Sequence, residues 1–223
     1  MVTEEQEIDN IFILLTYALV YKNWQLDKTP RSQRRGYNIA ALLVNEKNEP
    51  VFHGLNTIAS TNNSTHHSEI NAMLNYMKKY NAFDLDGFKV YVSLQPCIMC
   101  LGMMMMTKVK KIVYGQNDDN YSNIAERLAL DTTAIGGYSP YPRNLIIEPS
   151  KLKYKTQLDD AFKEFQIFNE NKILAVFLCS EVARLIYYET YTDFLNLTLK
   201  HSSNLNIYEK AQTYFENYIT FIS

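Results

Sequence analysis

The chain has 223 residues, of which 47% are apolar and 21% charged, and its formal net charge is −2. This composition predicts a folded protein with one sizeable core, or a core with an extension, and excludes a disordered or repetitive chain. Because the net charge is close to zero, there is no global basic field for binding nucleic acid, although a local basic patch would fit the composition.

The N-terminal half of the chain predicts a regular series of helices and strands. Thr3 to Gln6 matches a capping box, and the apolar residues that follow have helical spacing, so a helix is predicted at 4–23. The next stretch, 27–36, contains a Pro, a Gly and four basic residues, which predicts a loop that is either a solvated connection or a contact with phosphate. The following predicted elements are strands at 39–44 and 50–55 that form an antiparallel hairpin, a helix at 68–79, a strand at 89–94, a helix at 97–107 and a strand at 111–114.

The signals beyond Gly115 are weaker. They predict a helix at 121–131, a loop at 134–144, a strand at 145–147, a helix at 158–168, and two helices within 171–223 that separate near Ser202–Asn204. The order of strands and helices predicts an α/β domain with helices on both faces of a sheet. We expect this domain to span residues 1–169, and a C-terminal helical extension at 170–223 to pack on the core or on a partner.

The cysteines and the N-terminus bear on the cellular compartment. The three cysteines, Cys97, Cys100 and Cys179, do not indicate a disulfide scaffold, because the number is odd and two of them form a C-x-x-C pair. The N-terminal stretch 1–9 is acidic and carries no apolar segment of a signal peptide. No apolar run is long enough to span a bilayer. We therefore expect a soluble, cytoplasmic protein without membrane contacts.

Two short motifs predict a zinc site. Cys97 and Cys100 are three residues apart at the start of a predicted helix, and His67 lies at the start of another. A helix N-terminus favours the thiolate form of cysteine, which is the form that binds metals. Three such ligands leave one position of a tetrahedral zinc ion open, as in catalytic sites. Glu69 is two residues from His67 and is the predicted general acid and base.

Two other interpretations of these motifs are weaker. A structural zinc site would need a fourth ligand, for which only His66 and His53 are candidates, and His66 should point away from its neighbour His67. Alternatively, the cysteines are buried free thiols and the histidine is unrelated to them. The combination of both motifs, each at a predicted helix start, favours zinc.

The stretch from Val90 to Gly115, VYVSLQPCIMCLGMMMMTKVKKIVYG, resembles the cytidine deaminase superfamily. It is most similar to the branch of tRNA-adenosine and guanine deaminases, whose pattern it matches at Leu94, Pro96, Cys97, Cys100, Gly102, Lys108, Val113, Tyr114 and Gly115. His67-Ser68-Glu69 stands where that branch has His-Ala-Glu. The sequence departs from it at Gln95, where the tRNA enzymes commonly have Glu.

The resemblance implies a fold and a reaction. The fold would be a three-layer α/β/α domain with a mixed central sheet, and the protein would be a homodimer. The enzyme would be a zinc-dependent hydrolytic deaminase that converts the exocyclic amine of a nucleobase to a carbonyl. Asn56 would hydrogen-bond the base or ribose, and the backbone around Ser68 and Cys97 would contact the edge of the base.

Three functions remain open from the sequence. The first is conversion of adenosine to inosine in tRNA, which the second motif and the basic loop support. The second is deamination of a free base, nucleoside or nucleotide of the guanine or cytosine type, and the third is a non-enzymatic zinc-containing partner subunit. The intact Glu69 disfavours the third.

Overall fold

A five-stranded sheet forms the centre of the molecule. The computed structural model describes residues 2–26, 28–137, 145–169 and 173–222. The strands are β1 Ala40–Val44, β2 Pro50–Leu55, β3 Lys89–Val92, β4 Lys111–Tyr114 and β5 Ile146–Pro149. Their order across the sheet is β2-β1-β3-β4-β5. β1 is antiparallel to β2 and β3, whereas β3, β4 and β5 are parallel, so the predicted hairpin and mixed sheet are confirmed.

The helices account for most of the remaining described residues. They are α1 Glu4–Lys22, α2 Ser68–Tyr80, α3 Ile98–Met106, α4 Ile124–Leu128, α5 Lys153–Phe168, α6 Leu174–Phe177, α7 Glu181–Leu195 and α8 Leu205–Ile222. The predicted helix at 121–131 is reduced to the single turn of α4, and the described C-terminal residues form three helices instead of two. The loop predicted at 134–144 lies partly outside the described residues.

The two faces of the sheet carry different helices. Along β1, Leu42 and its alternate neighbours pack with α1, α5 and the C-terminal helices. Ala41 and Leu43, whose side chains point to the other face of the sheet, pack with α2 and α3. Successive side chains of a strand point to opposite faces, so this alternation produces two separate cores. The predicted α/β architecture with helices on both faces is therefore confirmed.

Helix α1 is buried on all sides. Its predicted capping box is present, with Thr3 Oγ1 accepting from the Gln6 amide (3.2 Å) and Gln6 Oε1 accepting from the Thr3 amide (3.1 Å). The consecutive residues 11–15 are each at most 1% exposed. The sequence predicts a single apolar face, but a helix that is apolar all round is an interior helix. The other faces of α1 are covered by the C-terminal helices.

The C-terminal helices pack on α1 within the same chain. The rings of Tyr17 and Tyr187 meet edge to face with centroids 5.4 Å apart. The Tyr218 hydroxyl of α8 donates to Asn23 Oδ1 at the end of α1 (2.7 Å). The helices within 173–222 thus form an outer layer over α1. The domain division at residue 170 and a contact of these helices with a partner stay predictions.

Within the described ranges, none of the helices has the length and apolar character needed to cross a membrane.

Candidate active site

The N-termini of α2 and α3 bring the two sequence motifs together. His67 and Cys97 are the N-cap residues of these helices and have extended backbone conformations, and Cys100 lies in the first turn of α3. His67 Nδ1 is 3.6 Å from the sulfur of Cys97 and 3.6 Å from that of Cys100, and the two sulfurs are 3.5 Å apart. The three predicted ligand atoms therefore form a nearly equilateral triangle.

The size of this triangle fits a tetrahedral metal ion. Zinc binds sulfur at about 2.3 Å and nitrogen at about 2.0–2.1 Å, so its ligand atoms lie roughly 3.5–3.8 Å apart. The observed distances of 3.5 and 3.6 Å match this spacing without movement of the backbone. Among the described residues, His67, Cys97 and Cys100 are the one group of this kind that could hold a metal ion.

Hydrogen bonds among the three predicted ligands shift their pKa values. A hydrogen bond between the two sulfurs lowers the pKa of Cys97 to about 4. The same hydrogen bond, together with burial, raises the pKa of Cys100. A hydrogen bond with Cys97 raises the pKa of His67. The thiolate form is therefore favoured at Cys97.

Neither candidate for a fourth protein ligand joins the triangle. His53 lies on β2, and its Nδ1 is 2.8 Å from the hydroxyl of Tyr214 in α8. His66 lies next to a separate surface groove that Arg35 and His53 also line. Among the described residues, a metal ion at this site would therefore have three protein ligands. Its fourth tetrahedral position would stay open, as in catalytic zinc sites.

Glu69 is buried beside the triangle. Its side chain is 4% exposed, and Oε2 accepts a hydrogen bond from Ser68 Oγ at 2.8 Å. Burial raises the pKa of Glu69. A carboxyl with a raised pKa is suited to exchanging a proton near neutral pH. The hydrogen bond from the Ser68 hydroxyl orients the Glu69 carboxylate. The family pattern has alanine at this position, which could not make this hydrogen bond.

Asn56 is held in one orientation by the backbone around it. Its Oδ1 accepts from the amides of Tyr37 (3.2 Å) and Ile58 (3.4 Å). Gly36 makes this possible, because a Cβ at that position would lie 2.2 Å from Asn56 Oδ1. With the oxygen occupied by two donors, the Nδ2 group is left to donate to a ligand.

A cavity of about 380 Å³ contains most of the predicted site residues. Asn56, His67, Glu69 and Cys97 line it, whereas Ser68 and Cys100 do not. The predicted contact between the Ser68 backbone and a base therefore stays a prediction. The sequence analysis missed several lining residues, namely Tyr37, Ile39, Asp118, Asn120, Tyr121, Ile173, Leu174, Ala175 and Leu178. They come from loops and from the C-terminal helices, which lack a motif of their own.

Gln95 connects the second motif to one of these loops. Its Oε1 accepts from the Asp118 amide (3.1 Å), and its Nε2 donates to the carbonyl of Tyr121 (3.3 Å). A glutamate at this position could accept the first hydrogen bond but, when ionised, could not make the second. The glutamine at position 95, which departs from the family pattern, thus allows both hydrogen bonds to the 118–121 loop.

The basic loop before β1 is partly tied into the protein. The Arg35 guanidinium donates to the backbone carbonyl of Asn56 from Nε (3.0 Å) and to that of Asn23 from Nη1 (3.3 Å). Arg34 Nε donates to the Thr29 carbonyl (2.7 Å). Arg35 therefore fixes the backbone of Asn56, whose side chain lines the cavity. The proposed phosphate contact is left to the exposed parts of the loop, such as Lys28.

Comparison with known proteins agrees with this geometry. Residues 21–116 match the family model for the cytidine and deoxycytidylate deaminase zinc-binding region. The chain is 31% identical over 116 residues to tRNA-specific adenosine deaminase 2 of Xenopus tropicalis, covering 45% of this chain and 68% of the relative. The chain belongs to the cytidine and deoxycytidylate deaminase family. The prediction of a hydrolytic deaminase is therefore confirmed at the level of the family.

Other relatives of this deaminase carry similar names. The tRNA-specific adenosine deaminase of Rickettsia felis is 24% identical over 119 residues, which are 52% of this chain and 83% of the relative. The solved guanine deaminase of Nitrosomonas europaea has 16% sequence identity and a TM-score of 0.44, with 86% of each chain covered. At that TM-score the structural likeness carries no weight for function.

Proposed function

We propose that this deaminase uses a zinc ion held by His67, Cys97 and Cys100 to hydrolyse the exocyclic amine of adenosine in tRNA. The observation that carries the proposal is the triangle of ligand atoms, 3.5–3.6 Å on a side, of which His67 and Cys97 line the same cavity as the buried Glu69. A structural zinc site would not need an open position facing a cavity, nor a carboxyl group beside it.

The proposed roles of the residues follow from their positions. Zinc bound in this triangle would lower the pKa of water to about 7 and so supply a nucleophile at neutral pH. Glu69 takes one proton from the attacking water and passes it to the ring nitrogen, and it then takes the second proton from the new hydroxyl on the tetrahedral carbon and passes it to the departing amine. The water oxygen bonds to the carbon that carries the amine, the carbon–nitrogen bond breaks, and ammonia leaves. Asn56 Nδ2 donates to an acceptor of the base or ribose and fixes its orientation.

The choice of tRNA as the substrate is supported by the relatives. The proteins of Xenopus tropicalis and Rickettsia felis with which the chain aligns are both named tRNA-specific adenosine deaminases. Exposed residues of the basic loop, including Lys28, would contact the phosphate backbone of the RNA. We further propose that the protein is cytoplasmic, where a zinc thiolate site would stay reduced, and that it forms a homodimer, which size-exclusion chromatography with light scattering would test.

A second function is favoured by one observation. The C-terminal residues Ile173–Ala175 form part of the cavity wall, and such a cover suits a small free base or nucleoside. The two functions differ in whether the substrate must be part of a polynucleotide. No described observation favours the non-enzymatic partner subunit.

One experiment tests these functions together. Zinc-loaded protein is incubated with tRNA, with single-stranded DNA and with a panel of free bases and nucleosides, while ammonia release and product mass are followed. The expected result is inosine in tRNA and little reaction of the free compounds. Turnover of free bases alone would replace the tRNA proposal with the second function, and no turnover of any compound would refute both. A His67→Ala variant should lose stoichiometric zinc, and its retention would contradict the ligand set.

A further inference from the structure

One wall of the catalytic cavity comes from a segment that lies outside the residues matching the deaminase family. The family match ends at residue 116. The cavity that contains His67 and Glu69 is nevertheless also lined by Leu174, Ala175 and Leu178. The reacting groups and this wall therefore come from two separate parts of the chain.

The segment Ile173–Leu178, here called the C-terminal wall, is anchored on the side that faces away from the cavity. Phe177 is fully buried, and its ring contacts those of Phe162 and Phe165 at centroid distances of 5.3 and 5.6 Å. The carbonyl of Leu178 accepts a hydrogen bond from Asn38 Nδ2 at 3.0 Å. Asn38 is itself fully buried and lies between Tyr37 and Ile39, which both line the cavity, so the wall is fixed to another part of the cavity lining.

The side of the C-terminal wall that faces the cavity is purely aliphatic. Leu174 and Leu178 are one helical turn apart and so share a face, and Ile173 is 58% exposed although its side chain is large and apolar. A ligand surface that meets these side chains must itself be apolar, such as the flat face of a base or the carbon side of a ribose. The polar edge of the same ligand would then meet Asn56 and Glu69.

We propose that the C-terminal wall selects the substrate of this deaminase, with Leu174 contacting the reacting nucleoside directly. This inference rests on the proposed function, because it assumes that the nucleoside enters this cavity. An aliphatic wall selects by shape and size and not by hydrogen bonding. The cavity volume of about 380 Å³ lies near the lower end of ligand pockets, so a change in one lining side chain alters which bases fit.

The test compares three variants with the wild type. Leu174→Ala removes the contact and Leu174→Phe narrows the cavity, while Leu185→Ala is the matched control, because Leu185 is an exposed leucine of α7 that does not line the cavity. For each protein, zinc content, kcat and KM are measured with an adenosine-containing tRNA stem-loop and with free adenosine and cytidine. Binding of the stem-loop is measured separately by fluorescence anisotropy in a Glu69→Gln background.

The expected results separate the C-terminal wall from the chemistry. Leu174→Ala should keep its zinc and raise KM and the dissociation constant about tenfold, the effect of a lost hydrophobic contact, with a much smaller change in kcat. Leu174→Phe should impair adenosine more than the smaller cytidine, and Leu185→Ala should behave as the wild type. Unchanged KM and binding in both Leu174 variants would overturn the assignment, as would an equal loss in Leu185→Ala. No turnover by the wild type would instead refute the proposed function, and the inference with it.

Discussion

Replacement of Gly54 by alanine should loosen both the fold and the metal site, although Gly54 contacts neither substrate nor ligand atoms. Gly54 lies on β2 opposite α2, and a Cβ there would be 2.2 Å from the Ser68 carbonyl oxygen and 2.5 Å from the Ala72 amide nitrogen. Both atoms belong to the backbone, so no side chain can rotate out of the way. To restore ordinary contact distances, α2 would have to move about 1 Å away from β2, and such overpacking costs about 1–3 kcal/mol.

The movement of α2 would also reach the predicted zinc ligand His67, which caps this helix. A shift of about 1 Å is several times the tolerance of about 0.2 Å in metal–ligand distances, so we expect zinc affinity to fall about tenfold or more. The free energy of unfolding is measured by urea denaturation, and zinc affinity by competition with a chromophoric chelator.

The matched control is Gly102→Ala in α3. A Cβ at Gly102 would have no neighbour within 4 Å, and alanine is the better helix former, so this variant should be more stable by about 0.5–1 kcal/mol with unchanged zinc affinity. The steric reasoning would be refuted if Gly54→Ala unfolded at the wild-type urea concentration, or if Gly102→Ala lost as much stability as Gly54→Ala.

Three further predictions concern other buried groups. Glu69→Gln should keep its zinc but reduce kcat about 10²–10⁴-fold in the deamination assay, because it cannot exchange a proton; wild-type kcat would exclude the assigned role. Lys111→Met should cost about 3–5 kcal/mol in urea denaturation, because Asp9, which is 8% exposed and 2.7 Å from Lys111 Nζ, would lose its cation. The exposed Lys163→Met is the control and should change stability by less than about 0.5 kcal/mol. Burial lowers the pKa of His53 from 6.5 to about 4, so the unfolded state binds the proton first and stability falls as pH drops from 6.5 to 4. Between pH 7.5 and pH 5, the free energy of unfolding of His53→Asn should therefore fall by about 2 kcal/mol less than that of the wild type. An unchanged pH dependence of the unfolding free energy in this variant would show that another group titrates.

The parts of the fold that the sequence predicts well depend on local signals. The capping box at Thr3 specifies where α1 begins, and the turn between β1 and β2 specifies a hairpin, because each involves residues close in the chain. The metal triangle belongs to this class only in part: the spacing of Cys97 and Cys100 is local, whereas His67 lies 30 residues from Cys97. Its prediction relied on the combination of the His67–Glu69 and Cys97–Cys100 motifs, which is typical of zinc-dependent deaminases.

The parts that the sequence does not predict depend on contacts between distant residues. The hydrogen bond from Asn38 to the Leu178 carbonyl joins residues 140 positions apart, and neither residue belongs to a motif. The aliphatic residues of the C-terminal wall read as ordinary core positions, because periodicity does not distinguish a side chain that packs on a core from one that lines a cavity. The complete burial of α1 is unpredictable for the same reason, since its second apolar face is explained only by the position of α7.

The burial of α1 links the C-terminal helices to the catalytic site. The Glu7 carboxylate in α1 accepts hydrogen bonds from the backbone amides of Lys200 (2.5 Å) and His201 (3.1 Å), which lie between α7 and α8. At the other side of the same layer, the Tyr17 hydroxyl of α1 donates to the Gly115 carbonyl (2.7 Å), directly after β4 and before the loop that carries Asp118. α1 therefore contacts both the segment between the outer helices and the residue that precedes the Asp118 loop of the cavity rim.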